Sequence, residues 1–185
     1  MPYIRVIDEH EANSRLAESY ARLQGSRGKL AAIHTIHSLN PRALDAHMEL
    51  YMTLLFGRSR LSREVRESIA IVVSRENGCD YCDQHHGQAL LAYWKDEDRL
   101  ARLRRDPREA ELDARTLAIL DHAVALTRDP AGITEADVDA LRGHGLEDDQ
   151  ILDLTMITAY FNFVNRIASG LGVESDAAEV AGYQY

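Results

Sequence analysis

Two runs of helical periodicity meet at one break, Asn77-Gly78, and this junction constrains the chain more than any other stretch. Ser62 caps the first run, about Arg63 to Glu76, in which Val65 and the apolar block Ile69-Ala70-Ile71-Val72-Val73 continue one helical pattern. The second run, about Cys79 to Tyr93, opens on the cysteines. The spacing predicts two antiparallel-leaning helices joined by a tight turn. No stretch alternates with period two, so the fold class is all-α.

The remaining breaks agree. Helices are expected from Asp8 to about Leu23, from Lys29 to Ser38, and from Asn40-Pro41 to Phe56, with Asn40 as cap, Pro41 at the first turn and Gly57 as the stop. Further helices are expected over Asp96 to Arg104, Leu112 to Thr127, Thr134 (a capping box closed by Asp137) to Arg142, and Asp148 to Leu171, with a last turn over Glu174 to Val180. The breaks are short and evenly spread, which predicts a single domain over 1–185 with its motif core at about 40–170.

A chain of 185 residues that is 45% apolar can bury a real core. A net charge of -9 argues against a nucleic-acid surface. No apolar run is long enough to span a membrane and the first residues lack a secretory apolar region, so a cytoplasmic protein is expected. There, a two-cysteine pair points to catalysis or metal binding before a structural disulfide.

The chemistry concentrates in Cys79-Asp80-Tyr81-Cys82-Asp83-Gln84-His85-His86. A helix start lowers a thiol's pKa, because unsatisfied N–H groups favour the thiolate. Cys79, Cys82 and His86 fall at i, i+3 and i+7, one stripe of a helix. The sulfurs can close a short disulfide, and His86 can take a thiol proton. His85 is within reach of Cys82. Glu67, on the preceding helix, can fold back to orient the imidazole; Glu64 is the weaker candidate. The same donors offer a rival reading, zinc held by Cys79, Cys82 and His86 with His85 or Glu67. His34, His37 and His47 are read as core-edge or surface residues, His122 and His144 as surface or packing, and Met48, Met52 and Met156 as core. Asn162, Asn165 and Arg166 interrupt an apolar helix and should bond near the site or at a subunit contact.

Glu67, Cys79, Cys82 and His86, in the order Glu, eleven residues, Cys-x-x-Cys-x-x-x-His, resemble the alkyl hydroperoxidase D / carboxymuconolactone decarboxylase superfamily. His37-Ser38-Leu39-Asn40-Pro41, the Leu61–Gly87 block and Ala159–Arg166 resemble its peroxidase-related branch, so the likeness covers most of the chain. It implies an all-helical bundle, homo-oligomers (trimer or hexamer, with a dimer as the smaller choice) and thiol-dependent reduction of hydroperoxides. On that likeness Cys82 is the peroxidatic thiol, Cys79 the resolving one, and His86 with Glu67 the proton relay. No cofactor is implied, only an external dithiol reductant or redox adaptor protein. Tyr81 stands where alkyl hydroperoxidase D has a histidine, and His85 is the candidate replacement. The superfamily's other chemistry leaves a non-redox, decarboxylase-like alternative, with Glu67 and His86 acting without the thiols.

Overall fold

Helix α4 (Arg63–Glu76) is buried along its whole middle, from Arg66 to Ser74, and the other elements are laid around it. The computed structural model describes residues 1–176 and 179–180, and all regular structure among them is helical. Helices α5 (Asp80–Trp94), α7 (Ala114–Arg128) and α9 (Asp148–Gly170) pack directly on α4. A helix with no solvent face must satisfy its polar side chains internally. Ser68 donates to the Glu64 carbonyl (2.8 Å), Ser74 accepts from Asn165 of α9 (3.1 Å), and Arg66 donates to the carbonyls of Leu54 and Gly57 (3.0 Å each). Arg66 thereby ties down the end of α3 (Pro41–Tyr51) and its π-helical extension, Met52–Phe56.

The junction after α4 closes in a Schellman turn. Gly78 sits at φ 66°, its N–H bonds the Arg75 carbonyl (3.1 Å), and the Cys79 N–H bonds the Ser74 carbonyl (2.8 Å). The Cys79 carbonyl then accepts the first bond of α5, from Asp83 N–H (3.0 Å). Cys79 is thus held by the end of one helix and the start of the next. A Cβ at position 78 is strained at that φ, so Gly78→Ala should cost about 1–2 kcal/mol, read as a lower urea midpoint at unchanged slope. Gly87 serves a second close approach. A Cβ there would meet the guanidinium of Arg104, which crosses α5 from α6 (Glu97–Arg105) to bond Asp83 (3.0 Å).

The outer elements add a smaller core. Leu16, Tyr20 and Leu23 of α1 (Ser14–Arg27) meet Leu44 and Met48 of α3. Helix α2 (Ala32–Thr35) follows, and α8 (Glu135–Gly143) covers α7 and α9 with the expected Thr134–Asp137 box at its start.

Two boundaries differ from expectation. Residues 8–12 form turns, so α1 starts six residues late, and it runs through Gly25 to close at Gly28 (φ 80°). The helix expected over Lys29–Ser38 shrinks to one turn, because His34 folds back to cap the Ala31 N–H (3.0 Å). Met52 is exposed at the π turn rather than in the core. Of the last turn expected over 174–180, residues 177 and 178 lie outside the described residues. Residues 174–176 are not helical, whereas Glu179 and Val180 are.

Candidate functional site

Cys79 and Cys82 are both buried and both free, with sulfurs 2.9 Å apart. A helical i, i+3 pair places them on one side of the first turn of α5. Cys79 is the N-cap residue, where its sulfur faces the Cys82 backbone N–H. The Cys82 thiol donates to it, and together with that N–H, Ser169 and Asn165 holds the Cys79 thiol down at about 7, against the burial that opposes ionisation. Sharing that proton with Cys79 pushes the Cys82 thiol well up, and burial adds to the shift. Of the two thiols, Cys79 is therefore the one that ionises first, while Cys82 keeps its proton. Thiolate absorbance in the reduced protein should titrate near pH 7, and Cys82→Ala should move that midpoint toward the ordinary thiol range.

Beside the thiols, a hydrogen-bonded carboxylate and imidazole face each other across the α4–α5 hairpin. His86 Nδ1 is 2.6 Å from Glu67 Oε2, and the other Glu67 oxygen accepts from Arg63 Nε (2.6 Å). Glu67 is 0% exposed. Burial alone would raise its carboxyl, but the charges and hydrogen bonds of His86 and Arg63 outweigh burial and hold it below the usual carboxylate range. A carboxylate behind an imidazole fixes the proton on Nδ1 and leaves the second ring nitrogen for chemistry. Arg63, one turn before Glu67 on α4, holds the carboxylate from the other side, and its guanidinium stacks on Phe56 (3.7 Å). Glu64 is exposed and takes no part.

The sulfur of Cys82 and the ring of His86 meet at a cavity of about 60 Å³, walled by Ile33, Met48, Tyr51, Tyr160, Phe161 and other side chains. His34 and His47, expected at the core edge or surface, are both in this wall. Burial and the neighbouring His37 push His47 down to about 3, so it stands as a neutral imidazole, 3.1 Å from the Tyr160 hydroxyl. His85 and Tyr81 also line the cavity, but they belong to a second polar group. His85 Nδ1 is 2.8 Å from the Tyr81 carbonyl and Nε2 is 3.0 Å from Glu179 Oε1. The Tyr81 hydroxyl donates to the same oxygen (2.6 Å) and accepts from the Ile33 N–H (3.1 Å). Burial raises the Glu179 carboxyl, and its bonds to His85 and Tyr81 more than reverse that.

The polar residues of α9 find their partners at the hairpin. Asn165 bonds Asn77 (3.0 Å) and Ser74 and reaches both sulfurs. Asn162 joins Asn77 (3.1 Å) to Thr127 of α7 (2.9 Å), and Arg166 folds back on Asn162. Two residues of the site carried no sequence signal. Ser169 is an ordinary serine near a helix end, and Glu179 lies far along the chain from the motif.

Among the described residues no three of His, Cys, Asp or Glu are grouped to hold a metal ion. Two thiolates on one tetrahedral zinc would stand about 3.8 Å apart, wider than the pair here, and the Glu67 carboxylate and His86 Nδ1 are spent on each other.

The model of the carboxymuconolactone decarboxylase family matches residues 41–109, from the start of α3 through the α4–α5 hairpin to Glu109, just after α6. No curated protein matches the chain. Among solved structures, a peroxidase-related protein from Silicibacter sp. TM1040 is 33% identical over 97% of this chain and 92% of its own, with a TM-score of 0.83. A peroxidase-related protein with an alkylhydroperoxidase D core, from Ralstonia eutropha JMP134, superposes at TM-score 0.87 with 24% identity, over 97% of this chain and 94% of that one. The debrominase Bmp8, in complex with 2,3,4-tribromopyrrole, shares the fold at 18% identity and TM-score 0.79, over 95% of this chain and 92% of that one. Similarity to the Silicibacter protein along nearly the whole chain, the family match across the hairpin and the common helical architecture have one reading: the chain belongs to the alkyl hydroperoxidase D / carboxymuconolactone decarboxylase superfamily.

Proposed function

We propose that the protein is a thiol-dependent hydroperoxide reductase. The observation that carries this reading is the stacking order at the cavity, with Cys82 in its wall, Cys79 2.9 Å behind it and the His86–Glu67 pair alongside. Cys82 passes its proton to Cys79 as the hydroperoxide enters, and its thiolate attacks the peroxide oxygen. The O–O bond breaks, the alkoxide takes a proton by way of His86, and Cys82 becomes a sulfenic acid. Cys79 then condenses with that sulfenic acid, releasing water and forming the disulfide. An external dithiol returns two electrons and two protons. No resident cofactor is required. Apolar and aromatic walls suit an organic hydroperoxide, with its oxygens toward Cys82 and its carbon chain among Ile33, Met48 and Phe161.

Two broader expectations belong to the same reading. A dithiol cycle suits the reducing cytoplasm. Self-association is supported by large apolar side chains left exposed on α3 and α9, notably Leu50 and Phe163, the latter at 49% exposure. The test of the activity is a thiol titration of the reduced protein before and after one equivalent of cumene hydroperoxide. Prompt loss of both thiols, reversed by a dithiol, is the expected result. Retention of both would overturn the reading and favour acid–base chemistry by Glu67 and His86.

A further inference from the structure

The two sulfurs of the pair face different spaces. Cys82 lines the cavity described above, and Cys79 does not. Cys79 lines a separate cleft of about 340 Å³, of which Cys82 is not a wall. This cleft lies between the start of α5 and the end of α9, and Ser169, Glu174 and Ser175 border it. The N-terminal segment makes its far side, with the Tyr3 N–H bonded to the Leu171 carbonyl (2.9 Å). Tyr81 is the wall common to both spaces. Ser169 connects the cleft to the chemistry, because its hydroxyl bonds the Cys79 sulfur and is itself exposed. Cys79 itself is 3% exposed, so the Ser169 hydroxyl stands between its sulfur and the open cleft.

We propose that this cleft is the entrance for the dithiol reductant, which attacks Cys79 there while hydroperoxide meets Cys82 in the opposite cavity. The proposal rests on the redox reading of the pair. Thiol–disulfide exchange depends on which sulfur an attacking thiolate can reach. It also requires approach along the line of the S–S bond, from behind the sulfur attacked. Of the two spaces, Cys82 borders the narrower, apolar cavity and Cys79 the wider, more polar cleft. One thiolate of the reductant attacks Cys79, the bond between the two cysteines breaks, and the electron pair leaves on Cys82, which takes a proton by way of His86. The reductant's second thiolate then attacks the reductant sulfur of the mixed disulfide. That bond breaks, Cys79 departs as the thiolate its helix start stabilises, and the reductant leaves as an internal disulfide. The pair has gained two electrons and one proton, the proton on Cys82, and the reductant's other proton goes to solvent. Asp80 and Glu174 flank the cleft, with Glu174 paired to the Met1 amine (2.7 Å).

The test separates the two half-reactions. Wild-type protein is compared with Glu174→Trp and Ser175→Trp, two independent rim substitutions that narrow the cleft, and with Ile33→Trp, which narrows the cavity. Each protein is first oxidised by diamide, which forms the disulfide without hydroperoxide, and reduction by dithiothreitol is followed by stopped flow. The cleft variants should be reduced at least tenfold more slowly, with Ile33→Trp near the wild-type rate. Oxidation of the reduced proteins by cumene hydroperoxide should show the reverse order. Reduction slowed by Ile33→Trp and not by the cleft variants would overturn the proposal, as would slowing of both steps by every variant or of neither. If hydroperoxide fails to oxidise a pair that diamide oxidises, the peroxidase reading falls, while the diamide arm still decides the route of the reductant.

Discussion

Replacing Cys82 with serine should stop hydroperoxide consumption, with a loss on the order of 10³-fold or more in kcat, because the attacking atom is gone. Cys79→Ser should behave differently. The first attack still occurs, but no partner sulfur remains to displace the hydroxyl of the sulfenic acid. The variant should therefore consume about one equivalent and stall, with the sulfenic acid at Cys82 captured by dimedone and found on that peptide by mass spectrometry. The cavity dictates this asymmetry, since only Cys82 stands in its wall. Full turnover by Cys82→Ser would sink the assignment, and an acid–base activity on a lactone acid that survives alanine at both cysteines would replace it. Both substitutions are nearly isosteric, so unfolding midpoints of the variants should stay close to that of the wild type.

Glu67→Gln is expected to damage stability and rate together. The carboxylate has no contact with solvent and faces Arg63 on one oxygen and His86 on the other. Removing one member of a buried charged group strands its partners, at a cost of about 3–5 kcal/mol. Loss of the carboxylate that orients His86 should cost a further 10²- to 10⁴-fold or so in kcat. The pH dependence gives the prediction a second signature. The native carboxyl is held below its unfolded value, so its contribution is fully present above the unfolded pKa of about 4.3 and is lost as pH falls through the lower native value. Urea unfolding should show the widest gap between wild type and Glu67→Gln at neutral pH, closing in strong acid. Glu64→Gln, one turn-start away and exposed, should change stability by no more than about 0.5 kcal/mol. A gap independent of pH would mean that shape, and not charge, holds Glu67 in place.

The hairpin was readable because its signals are local. Ser62, Asn77-Gly78 and the i, i+3, i+7 stripe each act within a turn or two of chain, and α4 and α5 lie where they were expected. The first turn of α5 also fixes the environment of the thiols, since a side chain at a helix start always meets free N–H groups. What resisted reading was long-range. Nothing near Cys82 says that His47, far back in α3, walls the same cavity, or that Glu179 returns to hold Tyr81 and His85. The asparagines of α9 were a usable hint, because an amide on an apolar helix needs a partner, yet only the packing of α9 on α4 shows that the partners are Asn77, Ser74 and the sulfurs. The early α2 and α1 misreadings have the same origin. Periodicity marks a face, while tertiary partners decide how many turns of helix are kept.

Because α4 has no face toward water, its backbone amides have no local opening through which to exchange hydrogen for deuterium. Segments of this kind exchange only when the whole molecule unfolds, whereas chain ends and thin outer helices exchange through small fluctuations. Glu67 rides on that slowest segment. Its carboxylate is therefore placed for as long as the protein is folded at all, and breathing of the outer helices can vary access to the thiols without ever misplacing the group that holds His86.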